Sequence, residues 1–295
     1  MRIRLAAPPP ELARDEPDAH LVLEDGTAHC SLWWASGAIG HFRARDAESG
    51  AGLLSAACAR LAERGCVRAV GPMDGSTWRA YRLVTERGEE PPFFLEPDTP
   101  AHWGECFARA GFSVLARYCS SLQSDLAVDE VRLAGVAHRA AAAGIRMRHF
   151  DPHNAGRDLG AMHALAQGAF RHAFLFSPIA REKFVEQYAR VLPLLRPELV
   201  QLAEQGDELV AFLFALPDAL ESAPRTVILK TVAARRGRAA AGLASLLAAR
   251  AAAAARAMGF TRAIHALMHE ANVSRNWSAR SARVMRRYAL MGRAL

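Results

Sequence analysis

The feature that most constrains this chain is a unit written twice. A hairpin signal, a strand, a glycine-opened helix, a glycine stop and a short strand follow one another in the first third and again in the last. The first copy covers 20–34 around Asp25-Gly26, then 38–42, a helical stretch from Gly50 to Gly65, and 66–70. The second covers 199–214 around Gly206-Asp207, then 227–232, a helix from Gly242 to Gly259, and 260–264. A unit this long, used twice, predicts two related domains in tandem rather than one large core. With 295 residues and 51% hydrophobic content, the chain has apolar material for both.

Periodicity fills in the rest. Leu53, Leu54, Ala57, Cys58 and Leu61 recur at helical spacing and stop at Gly65. A helix over 102–110 and a strand over 112–122 follow, then a helical connector over 125–143 ending at Gly144. The next stretch predicts a strand over 145–150 and helices over 154–172 and 179–192. The second of these carries Phe184, Val185, Tyr188, Val191 and Leu192. The hairpin at 199–216, a strand over 226–233, a helix over 240–258, a strand over 260–268, a short helix near 274–284 and a closing strand around 286–290 complete the order. The expected class is α/β (α+β): two mixed-sheet domains with helices on both faces, at 1–124 and 145–295, joined by 125–144.

Bulk properties narrow the function. The net charge of +7 is local, because 261–295 holds seven arginines against one acid, Glu270. Aromatic groups able to stack on bases are scarce there, only Trp277 and Tyr288 with Phe260 just before. The tail therefore argues for a phosphorylated ligand over nucleic acid. The longest clean apolar run, 209–216, stops at Pro217, too short for a bilayer. Pro8-Pro9-Pro10 interrupts the N-terminus before an apolar stretch develops, which argues against a signal peptide. Five cysteines without a Cys-x-x-Cys pair read as reduced core residues of a cytoplasmic protein.

Chemistry concentrates where a strand meets the long second-copy helix. Small residues between Thr231 and Ala244 let a ligand approach the backbone, and Arg235, Arg236 and Arg238 stand at the mouth. The unpaired N–H groups of the first helical turn, with the helix dipole, make this an anion site suited to phosphate or pyrophosphate. His265 and His269 lie four residues apart on the next predicted strand, roughly 13 Å, too far to share a metal; no metal site is expected.

Gly242-x-Ala244, the 17-residue step from Gly242 to Gly259 and the strand that follows resemble the acetyl-CoA-binding core of the GCN5-related N-acetyltransferases (GNAT). The family's loop pattern is Arg/Gln-x-x-Gly-x-Gly/Ala. Here its first position falls on Ala239, with Arg238 one place earlier; the other alignment, Arg236-x-x-Ala239-x-Ala241, replaces the first glycine with alanine. The resemblance covers 145–295, and residues 1–122 look like a degenerate copy. There Arg45, Asp46 and Glu48 precede Gly50-Ala51-Gly52, and the acids oppose a pyrophosphate. This copy is expected to be a structural or substrate-facing partner.

The resemblance implies an N-acyltransferase that moves an acetyl group from acetyl-CoA to an amine acceptor by direct transfer in a ternary complex. The alternative is a GNAT-fold module that binds or regulates without catalysis. It implies cofactor contacts from Val232, Ala233, Arg236, Gly237, Arg238, Gly242, Ala244, Asn272 and Ser274, with a backbone N–H near Val232 or Ala233 polarising the thioester carbonyl. Candidate catalytic groups are His269, Glu270 and Tyr288, with His265 a further candidate base. The family's usual tyrosine acid lies in the preceding helix, where this chain has Trp277. The loop from Gly71 to Arg82 reads either as a rigid turn holding a tryptophan or as an acceptor-binding lid.

Overall fold

Asp25-Gly26 turns the chain where the alternation predicts, with Gly26 in the left-handed region at φ +72°. The computed structural model describes residues 2–272, 275 and 278–295. In chain order it forms β1 (Ile3–Ala6), α1 (Pro10–Ala13), β2 (Ala19–Leu23), β3 (Ala28–Trp33), β4 (Ala38–Ala44), α2 (Ala47–Glu63) and β5 (Arg68–Gly71). Then come β6 (Leu83–Glu86), α3 (Trp103–Arg109), β7 (Ser113–Gln123), α4 (Glu130–Ala142), β8 (Ile145–His149), α5 (Ala155–Phe170) and α6 (Arg181–Ala189). The last elements are β9 (Gln201–Gln205), β10 (Glu208–Pro217), β11 (Thr226–Ala234), α7 (Leu243–Ala257), β12 (Arg262–His269) and β13 (Arg283–Ala294). Among the described residues no helix is long and apolar enough to cross a membrane.

The chain divides into two units, Met1–Cys119 with Arg286–Leu295, and Ser120–Met285. In the first, β1 to β5 lie side by side in sequence order and β13 continues the sheet. Leu21, Leu23, Cys30 and Leu32 meet Leu53, Leu54, Ala57 and Leu61 of α2 in the core. Each of these leucines contributes about 1.5–3 kcal/mol by leaving water. Phe42 packs edge-on against Trp103 and Phe107 at 4.9 and 5.3 Å between ring centres.

The second unit repeats the plan with β8, β9, β10, β11 and β12 in sheet order. Strand alternation on β10 explains helices on both faces. Ala211, Leu213 and Ala215 join Leu243, Leu247 and Ala251 of α7 in one core. Phe214 points to the opposite face, its ring 4.8 Å from that of Tyr188 on α6. Arg148 of β8 ties sheet to helix. Its two terminal nitrogens grip the fully buried Asp158 of α5 at 2.7 and 2.8 Å, and one also reaches Glu204 of β9 at 2.6 Å.

The units divide the chain differently from the boundaries read in the sequence. β13, expected to close 145–295, pairs with β5 of the first unit, Met291 opposite Gly71 and Ala294 opposite Arg68. Residues 120–123 at the end of β7, expected within 1–124, belong to the second unit and neighbour β12. The physical reason is that a strand's own alternation fixes its faces but not its partner, which is set by pairing across long stretches of chain. The expected helical connector forms α4, which packs on α7 within the second unit. α7 buries Leu243, Leu247, Ala248, Ala251 and Ala255, and Met258 just past its end is 38% exposed.

Candidate functional site

The site begins where two parallel strands part. β11 and β12 pair from Thr226–Arg262 to Leu229–His265 and no further, although β11 runs on to Ala234 and β12 to His269. Two backbone irregularities sit at the fork. The β10–β11 register steps from Ala215–Leu229 to Phe214–Thr231, leaving Lys230 as a bulge. On β12, Leu267 takes φ +57°, and its N–H is accepted by the Ser120 hydroxyl at 3.0 Å. Beyond Leu229, β11 thus keeps β10 on one edge and opens the other, along Val232 and Ala233, toward the gap. An unpaired strand edge can take an extended ligand as it would another strand, and backbone N–H groups on such an edge can polarise a carbonyl.

At the end of β11 the chain turns through Arg235–Gly242 into α7. Gly242 is the N-cap at φ +88°, and no side chain caps the first turn. Its glycine has two causes of its own: that φ, and Val136 of α4, whose methyl carbons lie 2.9 and 3.0 Å from where a Cβ would stand. Gly237, at φ +133°, has open space at the Cβ position. Arg235 is paired with Glu208 at 2.5 Å, whereas Arg236 and Arg238 are exposed without an ion pair among the described residues. Ala244 sits half-buried in the first turn. An uncapped helix start beside two exposed arginines offers N–H groups and positive charge, the features that suit an anion.

The predicted catalytic residues scatter. His265 is buried at 2% exposure. Its Nδ1 lies 2.7 Å from the Ser278 hydroxyl and its Nε2 3.3 Å from Gln123 Oε1, and burial lowers its pKa to about 4. It is a neutral structural group at the fork. His269 ends β12, its Nδ1 accepting the Ala271 N–H at 3.0 Å and its ring 6.1 Å from Phe174. Glu270 follows in the turn, half-buried, and Asn272 is exposed with its N–H bonded to the His269 carbonyl. Ser274 and Trp277 lie outside the described residues. Tyr288 is in the first unit, 1% exposed, donating to Glu96, whose other oxygen accepts from Arg286 at 2.7 Å. Burial pushes the Glu96 carboxyl up, against the Tyr288 hydrogen bond and the Arg286 charge. The structure thus gathers Val232, Ala233, Arg236, Gly237, Arg238, Gly242 and Ala244 into one β11–α7 segment. It puts His269 and Glu270 at the end of β12 and leaves Tyr288 in a different cluster.

The equivalent place in the first unit is filled by the chain itself. α2 is capped by Asp46, which accepts the Ser49 N–H at 2.8 Å and puts a carboxylate at the helix start. The helix begins at Ala47, three residues before Gly50, whose missing Cβ makes room for Cys106 Sγ at 2.5 Å. The open edge of β4 is taken too: the Met73 N–H bonds Ile39 O at 2.8 Å, and Asp74 accepts the His41 N–H at 2.6 Å. Asp15, His41 and Asp74 converge there, with ligand atoms within 4.8 Å of one another. Their charges are met internally. Arg79 pairs with Asp15 at 3.2 Å, His41 Nε2 with Asp15 at 2.9 Å, and His41 Nδ1 with Ser31 Oγ at 3.0 Å. Gly71–Arg82 is therefore a turn built into its own unit: Gly75 leaves no room for a Cβ against the Trp33 ring at 2.9 Å, and Trp78 is half-buried.

Two residues at the fork were missed in the sequence. Tyr188, read only as one member of an apolar stripe, brings its hydroxyl to Thr231 Oγ at 3.4 Å. Thr231 lies two residues past the last β11–β12 pair. Neither spacing nor composition marks that meeting of a helix and a strand far apart in sequence.

No protein-family model and no curated protein matches the sequence. Solved structures do match. A GCN5-related N-acetyltransferase from Anabaena variabilis aligns with 99% of this chain and 73% of its own, with TM-score 0.58 and 10% identity. One from Sphaerobacter thermophilus aligns with 96% and 84%, TM-score 0.54 and 14% identity. A tandem GNAT protein from the clavulanic acid biosynthesis pathway aligns with 98% and 89%, TM-score 0.52 and 12% identity. These similarities span the repeat, the fork and the helix that follows it, and the chain has the fold of the GCN5-related N-acetyltransferases.

Proposed function

We propose that the second unit, Ser120–Met285, binds acetyl-CoA and transfers its acetyl group directly to an amine acceptor. The observation that carries this reading is the fork followed at once by an uncapped helix start flanked by Arg236 and Arg238. A thioester laid along the open edge of β11 puts its carbonyl beside the Val232–Ala233 backbone, and the pyrophosphate then falls at the start of α7. The first unit is a copy of the same plan without a cofactor site, because Asp46 and the 71–82 turn occupy the corresponding positions. Five free cysteines fit a reducing cytoplasm as the place of action.

A second reading, binding without catalysis, draws on one observation: Tyr288 serves Glu96 in the first unit rather than the fork. Release of CoA thiol against a panel of amines separates the two, since a binding module gives none.

Gly242 is a poor probe of the anion site, because its φ and Val136 penalise any side chain whatever binds there. The arginines are a clean one. Arg236→Glu with Arg238→Glu removes two exposed cations and adds two anions, so the melting temperature should hold while acetyl-CoA affinity falls at least about 30-fold, roughly 1 kcal/mol per site. Unchanged affinity would remove the pyrophosphate from this place.

A further inference from the structure

The first unit carries a cluster of metal-ligating side chains for which acetyl transfer in the second has no use. Asp15 lies just past α1, His41 on β4 and Asp74 in the turn after β5, so three separate stretches of one unit supply the groups. Packing of that turn on the strand brings the last two together: the Met73 N–H bonds Ile39 O at 2.8 Å, and Asp74 Oδ1 accepts the His41 N–H at 2.6 Å. One ligand atom from each of the three residues lies within 4.8 Å of the other two. His41 Nε2 is 2.9 Å from Asp15 Oδ2 and 4.0 Å from Asp74 Oδ2. Metal–ligand bonds of about 2.0–2.2 Å put neighbouring ligand atoms about 3–3.5 Å apart, so a swing of the Asp74 carboxylate by about 0.5–1 Å closes the set.

Two features separate this cluster from a chance meeting of surface acids. The first is burial. The His41 side chain is 4% exposed, and among the described residues its Nε2 meets only the two carboxylates. The second is the set of outer contacts. His41 Nδ1 is held by Ser31 Oγ at 3.0 Å, Asp15 Oδ1 by Arg79 Nε at 3.2 Å, and Asp74 Oδ1 by the His41 backbone. Each residue thus has its other polar atom fixed by a neighbour and turns one atom inward. The contacts that meet these charges within the chain are the kind that orient metal ligands and, for histidine, fix the tautomer. Ser31 is fully buried and also meets His20 Nδ1 at 2.9 Å. Its hydroxyl can therefore accept from the His41 Nδ1–H and donate to His20, the arrangement that leaves a lone pair on His41 Nε2.

We propose that Asp15, His41 and Asp74 bind one divalent cation of the zinc class, which pins the segment after α1 and the 71–82 turn to β4. An imidazole with two carboxylates suits Zn2+, whereas Ca2+ and Mg2+ favour oxygen ligands alone. Three protein ligands leave a fourth position for water. The cation takes the place at His41 Nε2 that a proton shared with Asp15 holds in the metal-free chain. Steps of 26 and 33 residues separate the three positions, so no ligand motif announces them in the sequence. The proposal stands apart from the acetyl-CoA reading of the second unit.

The test uses zinc chloride alone. The full chain, freed of metal by a chelator, is titrated calorimetrically beside Asp74→Asn and His41→Gln. The expected result is one Zn2+ site per chain in the parent, abolished in His41→Gln. Asp74→Asn keeps an oxygen for the His41 N–H but loses the carboxylate, so its affinity should fall by more than the roughly 10- to 100-fold that loss of an outer partner costs. In thermal melts, added Zn2+ should raise the melting temperature of the parent and leave both variants where they stand in chelator. If His41→Gln fails to fold, the near-isosteric Asp74→Asn decides. No binding by the parent, or full affinity kept by either variant, overturns the assignment, and neither outcome bears on acetyl-CoA.

Discussion

His265 shows what a residue can be made to do by burial alone. With 2% exposure and a pKa brought down to about 4, it stays neutral in the folded chain, whereas in the unfolded chain it titrates near 6.5. Between those values the unfolded state binds the extra proton, so stability is full above about pH 6.5 and falls as pH drops toward 4. The shift corresponds to about 3 kcal/mol. His265→Gln should flatten the pH dependence of the unfolding free energy, measured by urea titration between pH 7 and 4, by about that amount, and a variant as pH-sensitive as the parent would contradict it. His20 of the first unit, lowered to about 4 chiefly by burial and also by His29, supplies a separate share that the variant keeps. Residue roles were the least legible part of the sequence. His265, His269, Glu270 and Tyr288 were all candidates by type, yet a residue's type does not say which partner it meets. Tyr288 met Glu96 and Tyr188 met Thr231, both across long stretches of chain.

The two copies use the same element for opposite electrostatic ends. Both units place a strand, a turn and a long helix in that order, but α2 starts under the carboxylate of Asp46 and α7 starts beside Arg236 and Arg238. Asp46→Ala should lower stability by removing the cap and should create no acetyl-CoA site in the first unit, because Met73 and Asp74 still occupy the β4 edge. Gain of a second binding event in calorimetry would contradict that. Elements were largely readable in advance because their signals are local: Asp25-Gly26 for the hairpin, Gly65 and Gly259 for helix ends, alternation for β10. The strands at Ile3–Ala6 and Leu83–Glu86 were not, being four residues each with no apolar pattern to announce them. The fork itself depends on Leu267 at φ +57° and the Ser120 hydroxyl, a pairing of residues 147 apart.

Taken whole, the chain forms two units, and the first of them includes the end of the chain, Arg286–Leu295. β13 carries Arg286 and Tyr288 into the first unit, where both meet the buried Glu96, and residues 120–123 complete the second beside β12. The internal repeat was visible in the sequence because each copy is contiguous over its hairpin, helix and following strand. The return of β13 to the first unit was not, because its partner β5 lies more than 200 residues earlier and no local pattern names it. One copy keeps an open fork and a cationic helix start, and the other has closed both with its own side chains. The most direct measurement of that claim is calorimetric titration of acetyl-CoA into the full-length chain. The account predicts micromolar binding at one site per chain. Two sites per chain, or no detectable heat and no thermal shift, would contradict it.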